Sequence, residues 1–455
     1  MSEVIQPESS GGAIAPLAAE RALAPQVLIG AGLEERAGLV TSFATSAGGD
    51  QVRFRPLGQP GARGGPQREV LIPVRDVIAI VPVLAGSVRE LRAGVGAARR
   101  DGAGAAESSG GWIELADGQV FPGGPTMGAG FAADRVAWSA RLWGAVLIDL
   151  EGVHRIVVNA KGAERLSREI AAAAERASED RVVLINGDVL GGFVESVSGS
   201  VVRIDSGGEV RSLDLARVAT IAVASPAARA AGARVWLSDG TVARAALRAG
   251  TGGRIGVGFD GPWIERAGPS ESSPRGVDEV GVDEVGVDEV GVATIELDEI
   301  EALAFDASRL VALGSLTARV EKTTTRRWTP PLVVGTARGV ALGAPDIELP
   351  GPMTAEWVLP AGASHVSMRL ELPESARVFG DCVVRVEIAG DDASAVEHRL
   401  TKESPSAAVR LAVGPARSAD EARRLVVRVE AGERGGIQDR VVLRRGLVLL
   451  GPAQD

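Results

Sequence analysis

The chain has 455 residues, 45% of them apolar but only 3% aromatic and none of them tyrosine, so its cores must be built from aliphatic side chains. A formal charge of −10 argues against a general nucleic-acid or anionic-membrane surface, because both need a basic face to displace counterions. A single cysteine, Cys382, excludes an intrachain disulfide, and no apolar run reaches the roughly 18 residues of a membrane-spanning helix.

Residues 1–24 are rich in Ala, Ser, Gly and Glu and read as a disordered tail, with neither the basic start nor the apolar stretch of a secretory signal. Beyond them one pattern recurs four times: Ile72-Pro-Val-Arg-Asp-Val-Ile-Ala-Ile80, Ile148-Asp-Leu-Glu-Gly-Val-His-Arg-Ile156, Leu213-Asp-Leu-Ala-Arg-Val-Ala-Thr-Ile221 and Ile295-Glu-Leu-Asp-Glu-Ile-Glu-Ala-Leu303. Aliphatic residues hold the first, third, sixth and ninth places each time. The first step is the strand period, and the next two fit one tight 3₁₀ turn followed by another strand. We refer to this pattern as the closer.

The openings agree. Trp112-Ile-Glu-Leu-Ala-Asp-Gly118, Val182-Val-Leu-Ile-Asn-Gly187 and Val235-Trp-Leu-Ser-Asp-Gly240 each run a strand into Asp-Gly or Asn-Gly, the strongest short hairpin signal. From the leucine before the turn to the closer is 33 residues in the second unit, 29 in the third and 58 in the fourth. Removing an insertion at residues 265–291 brings the last figure to 31. Repetition of this kind predicts an array of like units. Strand, tight turn and strand is also how SH3-like and Sm-like barrels end. The expected units are residues 25–82 (the most divergent), 112–159, 181–224 and 233–306, with a linker at 83–111 and a helical linker at 160–180. The insertion repeats Gly276-Val-Asp-Glu-Val280 three times. Its acidic ladder, spaced by five at Asp278, Asp283 and Asp288, lacks the alternating carboxylates of a calcium loop and reads as a solvated loop.

From residue 308 to 452 the strands lengthen and alternate apolar with charged residues, as an antiparallel sandwich with solvated outer faces requires. Here Val311-Ala-Leu-Gly-Ser-Leu-Thr-Ala-Arg-Val-Glu321, Trp328-Thr-Pro-Pro331 and Leu342-Gly-Ala344 precede strands carrying Arg369-Leu-Glu-Leu372, Gly380-Asp-Cys-Val-Val-Arg-Val386 and Arg424-Leu-Val-Val-Arg-Val429. In order and spacing this resembles the NPCBM family of carbohydrate-binding modules. In place of that family's central glycine-rich segment with its histidine stands Leu349-Pro-Gly-Pro-Met-Thr-Ala-Glu-Trp357. The resemblance implies a galactose-binding-like jelly-roll sandwich and an extracytoplasmic place in the bacterial cell envelope. The expected fold is therefore all-β: repeated small SH3/Sm-like barrel units followed by that sandwich.

No phosphate-cradling loop, nucleophile elbow, zinc-binding helix or Cys pair occurs, so the chain reads as a non-enzyme with no metal or cofactor. His154 falls between aliphatics of a closer and reads as a surface residue; His365 and His398 lack a neighbouring nucleophile motif, and Cys382 reads as a small buried hydrophobe. Trp112 and Trp236 read as repeat core, while Trp138 and Trp143 could be partly exposed. For a sugar, the candidate platform is Trp328 and Trp357, with Arg326, Arg327 and Glu356 as hydrogen-bonding groups. Two functions stay open. One is non-catalytic binding of a carbohydrate or glycoconjugate by the sandwich. The other is scaffolding, with protein–protein contacts made through the repeats.

Overall fold

The computed structural model describes residues 26–46, 49–57, 68–82, 111–126, 134–140, 143–159, 179–225, 228, 231–248, 254–259, 263–266, 292–321, 331–337, 340–414, 422–433 and 439–452. The expected N-terminal tail, nearly all of both linkers and the Gly-Val-Asp-Glu-Val repeats lie outside the described residues.

Unit one contains β1 (Gln26–Gly30), β2 (Glu35–Ser46), β3 (Gly49–Pro56), β4 (Val70–Pro73) and β5 (Val77–Pro82). Unit two contains β6 (Gly111–Leu115), β7 (Val120–Pro125), β8 (Arg135–Ala140), β9 (Gly144–Asp149) and β10 (Val153–Val157). In unit three these become β11 (Asp180–Leu184), β12 (Val189–Ser198), β13 (Val201–Ser206), β14 (Glu209–Asp214) and β15 (Val218–Ala222). Unit four has β16 (Arg234–Leu237), β17 (Val242–Arg248), β18 (Arg254–Phe259), a short β19 (Ile264–Arg266), β20 (Val292–Glu296) and β21 (Ile300–Ala304).

All four share one connectivity. The strands form an antiparallel meander, a 3₁₀ turn follows, and the last strand returns to pair with the first. Those turns are Val74–Asp76, Leu150–Gly152, Leu215–Arg217 and Leu297–Glu299, the middle of every closer. The closer is thus a core code, since all sixteen of its aliphatics belong to one hydrophobic core or pack against it. The opening hairpins turn through Gly118, Gly187 and Gly240 at φ of +81°, +93° and +90°, backbone that a side chain rarely tolerates.

The last strands depart from simple alternation. Ile78, Ala79, Ala219, Thr220 and Ala302 lie between closer aliphatics and are buried nonetheless. Ile78, Ala79 and Ala302 face a second core shared with the sandwich, while β5 pairs edge to edge with β21 and β10 with β15. In both seams the ninth aliphatic of one closer meets the ninth of the other, Ile80 with Leu303 and Ile156 with Ile221. A third seam joins β7 to β17 at Val120 and Val242, each five residues beyond the leucine that opens its hairpin. Three seams therefore place equivalent residue against equivalent residue, the mark of local two-fold pairing. In space the units run one, four, two, three.

Unit four also departs from its expected boundary. Residues 265 and 266 belong not to a free insertion but to β19, which adds to the outer edge of β9 in unit two. Ile264 faces Ile148, and the Asp149 N–H donates to the Trp263 carbonyl.

The C-terminal region is a two-sheet sandwich built from β22 (Leu310–Ala312), β23 (Ala318–Glu321), β24 (Val333–Val334), β25 (Ile347–Pro350), β26 (Met353–Val358), β27 (Ala363–Glu371), β28 (Cys382–Ile388), β29 (Asp391–Leu400), β30 (Ser406–Ala412), β31 (Arg424–Ala431) and β32 (Arg440–Leu450). One sheet runs β24-β25-β32-β27-β30 with β22 on β32, and the other runs β23-β26-β31-β28-β29. Alternation along β28 sends Cys382, Val384, Val386 and Ile388 into the core between them. A further core fuses sandwich and units: Leu447 and Leu449 of β32 and Leu342 pack with Ile29, Ile78, Trp236 and Ala302.

Candidate functional site

The sandwich presents two outer faces, and of the candidate residues Glu356 bears on one of them. On β26, Trp357 opposes Ala318 of β23 and Leu425 of β31, and its ring is 1% exposed inside the intersheet core. A ring in that position has no free face for a sugar, so Trp357 is a packing residue. Glu356, its neighbour in sequence, points to the opposite side of the sheet. The two therefore cannot share a ligand. The Arg424 guanidinium donates to Glu356 Oε1 at 2.8 Å, and Arg319 stands opposite Glu356 in register. Arg326, Arg327 and Trp328 lie outside the described residues.

This outer face is a lattice of charge. Arg385 pairs with Glu387 at 2.7 Å, and Arg428 stands between Thr354 and Arg385 in the strand register. At its far edge Arg399 grips both carboxylate oxygens of Asp381, at 2.9 and 2.8 Å, and also donates to Glu433. Those bonds favour the charged guanidinium and hold its pKa above the ordinary value. Among the described residues such a surface offers hydrogen bonds and ion pairs but no aromatic ring.

The outer face of the six-stranded sheet divides in two. Towards the units, Leu447 and Leu449 enter the shared core. Arg445, at φ +49° and 7% exposed, donates to the Pro82 carbonyl and to Glu35. Burial lowers the Arg445 pKa, and Glu35 partly offsets that effect. Arg410 reaches the Gly32 carbonyl of unit one. His365 sits beside it, and burial first and Arg410 second lower its pKa, with Glu34 acting the other way. The hydroxyl of Ser364 donates to the Leu449 carbonyl and stands 3.3 Å from His365 Nδ1. On the other half, Glu371 accepts from Arg377 and pairs with Arg444, which also reaches Asp346. Burial raises the Asp346 pKa against the opposing effect of Arg444, and Glu371 raises it further.

The other described tryptophans also serve packing. Trp138 is fully buried and donates to the Phe121 carbonyl, and Trp143 packs edge-on against Phe121; the expected partial exposure of both is overturned by this shared aromatic core. Trp112 and Trp236 lie on the outer side of their strands and pack at the fused core, not inside their own units. Trp263 rests on Gly152, where a Cβ would overlap its ring. Among the described residues, then, no tryptophan is exposed. Nor does any group of three His, Cys, Asp or Glu side chains stand ready for a metal among them.

The exposed apolar surface lies elsewhere. On unit three, Phe193 is 67% and Val210 44% exposed, and strand register places both in one row through Asp205. Sequence reasoning passed over this row; its signal was the alternation of Gly192-Phe-Val-Glu-Ser-Val197, which sends Phe193 outward if Val194 points in. A second exposed pair, Val378 and Phe379, tops a sandwich loop.

No family model matches the chain, and no curated protein matches it. Solved structures do. The CBM51 module of a Clostridium perfringens GH95 protein, in complex with methyl-galactose, is 11% identical; the match covers 30% of this chain and 99% of that one at a TM-score of 0.21. The tandem CBM51 modules of a family 98 glycoside hydrolase from Streptococcus pneumoniae are 9% identical over 75% of this chain and 88% of theirs, at 0.21. A CBM51-2 structure with GlcNAc and INT domains, from Clostridium perfringens ZmpB, is 9% identical over 43% of this chain and 36% of that one, at 0.25. Similarities of this size establish neither a family nor a ligand for this chain.

Proposed function

We propose that this chain is a non-catalytic scaffold, in which four small units of SH3/Sm-like connectivity and a C-terminal sandwich form one body that holds binding surfaces at fixed positions. The observation that carries this reading is the fused core of Leu447, Leu449, Leu342, Trp236, Ile29 and Ile78. Domains joined by a flexible tether need no such core, and relative motion is their default. Arg445 and Arg410 add polar clamps at the same seam. Hydrogen exchange of the full chain across a denaturant series tests the reading. Protection in β5, β21 and β32 should be lost at one midpoint, and a sandwich that opens well before the units refutes it.

A second reading, glycan or glycoconjugate binding at a bacterial cell envelope, is supported by the two-sheet sandwich that the NPCBM resemblance implies. With Trp357 in the core, the stacking surface would fall to Trp328, assisted by Arg326 and Arg327. A glycan array comparing the native chain with Trp328→Ala tests it; no binding by the native chain, or binding untouched by the substitution, removes that site.

A further inference from the structure

We propose that the outer edge of β14 is where two copies of this chain associate, by antiparallel pairing of β14 with β14 of the second copy about a two-fold axis at Val210. This deepens the scaffold reading and rests on it for the fixed placement of unit three.

Four observations converge. First, the units already join one another by two-fold strand pairing, with Ile80 on Leu303, Ile156 on Ile221 and Val120 on Val242. Unit three ends the spatial series, and its β14 is exposed along Glu209, Val210, Arg211 and Ser212. Among the described residues no strand pairs with its outer edge. The matching edge in unit two, that of β9, does accept a strand, β19.

Second, the backbone is in phase. The hairpin from β13 to β14 turns through Gly207 and Gly208, at φ +67° and +89°, with Ser206 opposite Glu209. A two-residue turn makes that flanking pair a hydrogen-bonded one, so the N–H and C=O groups of Val210, Ser212 and Asp214 face outward. Unit two bears this out, because Asp149, which stands where Asp214 does, donates its N–H to the added strand.

Third, the side chains select the register. That phase allows a two-fold axis at a residue but not between residues. An axis at Arg211 sets guanidinium against guanidinium, and one at Ser212 sets Val210 against Asp214. An axis at Val210 sets Val210 on Val210 and, twice over, Glu209 on Arg211 of the second copy. Opposite charges directly across a strand pair stabilise it and like charges oppose it.

Fourth, exposed apolar side chains meet at the axis. Phe193, Asp205 and Val210 lie across β12, β13 and β14. Pairing at Val210 sets the two exposed valines on each other, with each Phe193 further out beyond its Asp205, and removes apolar surface that a lone chain exposes.

Sedimentation velocity on the full chain, from about 1 to 200 µM, should show a monomer–dimer equilibrium. Val210→Pro removes an outward N–H and the apolar side chain at the axis and should abolish it, with thermal unfolding monitored to confirm an intact fold. Glu209→Arg alone and Arg211→Glu alone should each weaken it at least about tenfold, since each puts like charges opposite twice. The double exchange Glu209→Arg with Arg211→Glu should restore it. A native chain monomeric throughout, a dimer that survives Val210→Pro, or a double exchange no better than either single change overturns the proposal. A cooperative monomer would refute this inference alone, whereas a dimer whose sandwich unfolds separately would refute the scaffold reading alone.

Discussion

Gly152→Ala should release β19 from unit two. Gly152 is fifth in its closer, where the other units carry Asp76, Arg217 and Glu299. A Cβ there would come within 3.0 Å of Trp263 Cγ, Cδ2 and Cβ, so the ring must shift. Overpacking of this kind costs about 1–3 kcal/mol. Against it stand the contacts of a three-residue strand and the bond from the Asp149 N–H to the Trp263 carbonyl. At about 0.5–1.5 kcal/mol net for each hydrogen bond, the attachment is of the same size as the penalty. A penalty of that size shifts β19 towards its detached state, and the closer itself should stay folded. Amide exchange across Ile264–Arg266 should rise by about tenfold to a hundredfold, and trypsin should cut after Arg266 faster. Glu151→Ala, an exposed change one residue away, serves as the control. Exchange and cleavage unchanged in Gly152→Ala would refute the reasoning.

Trp357→Ala should lower stability by about 3–5 kcal/mol, read as a fall in denaturant midpoint, because it empties a core site. Glu356→Gln, which touches only the surface pair with Arg424, should cost no more than about 1 kcal/mol. The Cys382 thiol is pushed up to about 12 by burial first, and then by the Asp439 and Asp381 carboxylates. Its folded value thus exceeds its ordinary 9.0, so its contribution to stability is complete below that pH and lost as pH rises towards 12. Unfolding measured across that window should fall more steeply in the native chain than in Cys382→Ala. Arg445→Ala strips Pro82 and Glu35 of a buried donor and should cost about 1–3 kcal/mol, with faster exchange in β32. Arg445→Lys should rescue it only in part, since a single ammonium cannot reproduce the guanidinium fork.

The closer was legible because it encodes packing inside one unit, where strand and turn periods decide which side chains point inward. Asp117-Gly118, Asn186-Gly187 and Asp239-Gly240 were legible for a similar reason, since positive φ has a narrow residue vocabulary. What failed to show was contact between units. Trp236 lies one residue before its hairpin leucine and Trp112 three before, a parity that sends both away from their own core. Sequence cannot say whether such a face meets water or another unit. Trp357 was misjudged for the complementary reason: a strand-opening tryptophan beside Glu356 looks like a binding pair until alternation separates them. Trp138 and Trp143, set near a hairpin whose depth local pattern does not reveal, were misjudged in the same way.

Strand edges connect these particulars. A small antiparallel unit leaves two edges unpaired, and a bare edge invites pairing with any other chain. In this protein the last-strand edges of all four units are consumed in two seams. The fourth-strand edge of unit two is capped by β19. Each seam sets the ninth aliphatic of one closer on the ninth of the other, although β10 also brings Arg155 opposite Ala222. The strand β14 reads differently, as Glu-Val-Arg-Ser-Leu-Asp. Charged residues on an edge normally deter pairing, because an arbitrary partner cannot match them. A second copy of the same strand can match them, in one register. The composition of β14 therefore excludes most partners while leaving itself as a fitting one, and it separates this edge from those that fold the chain.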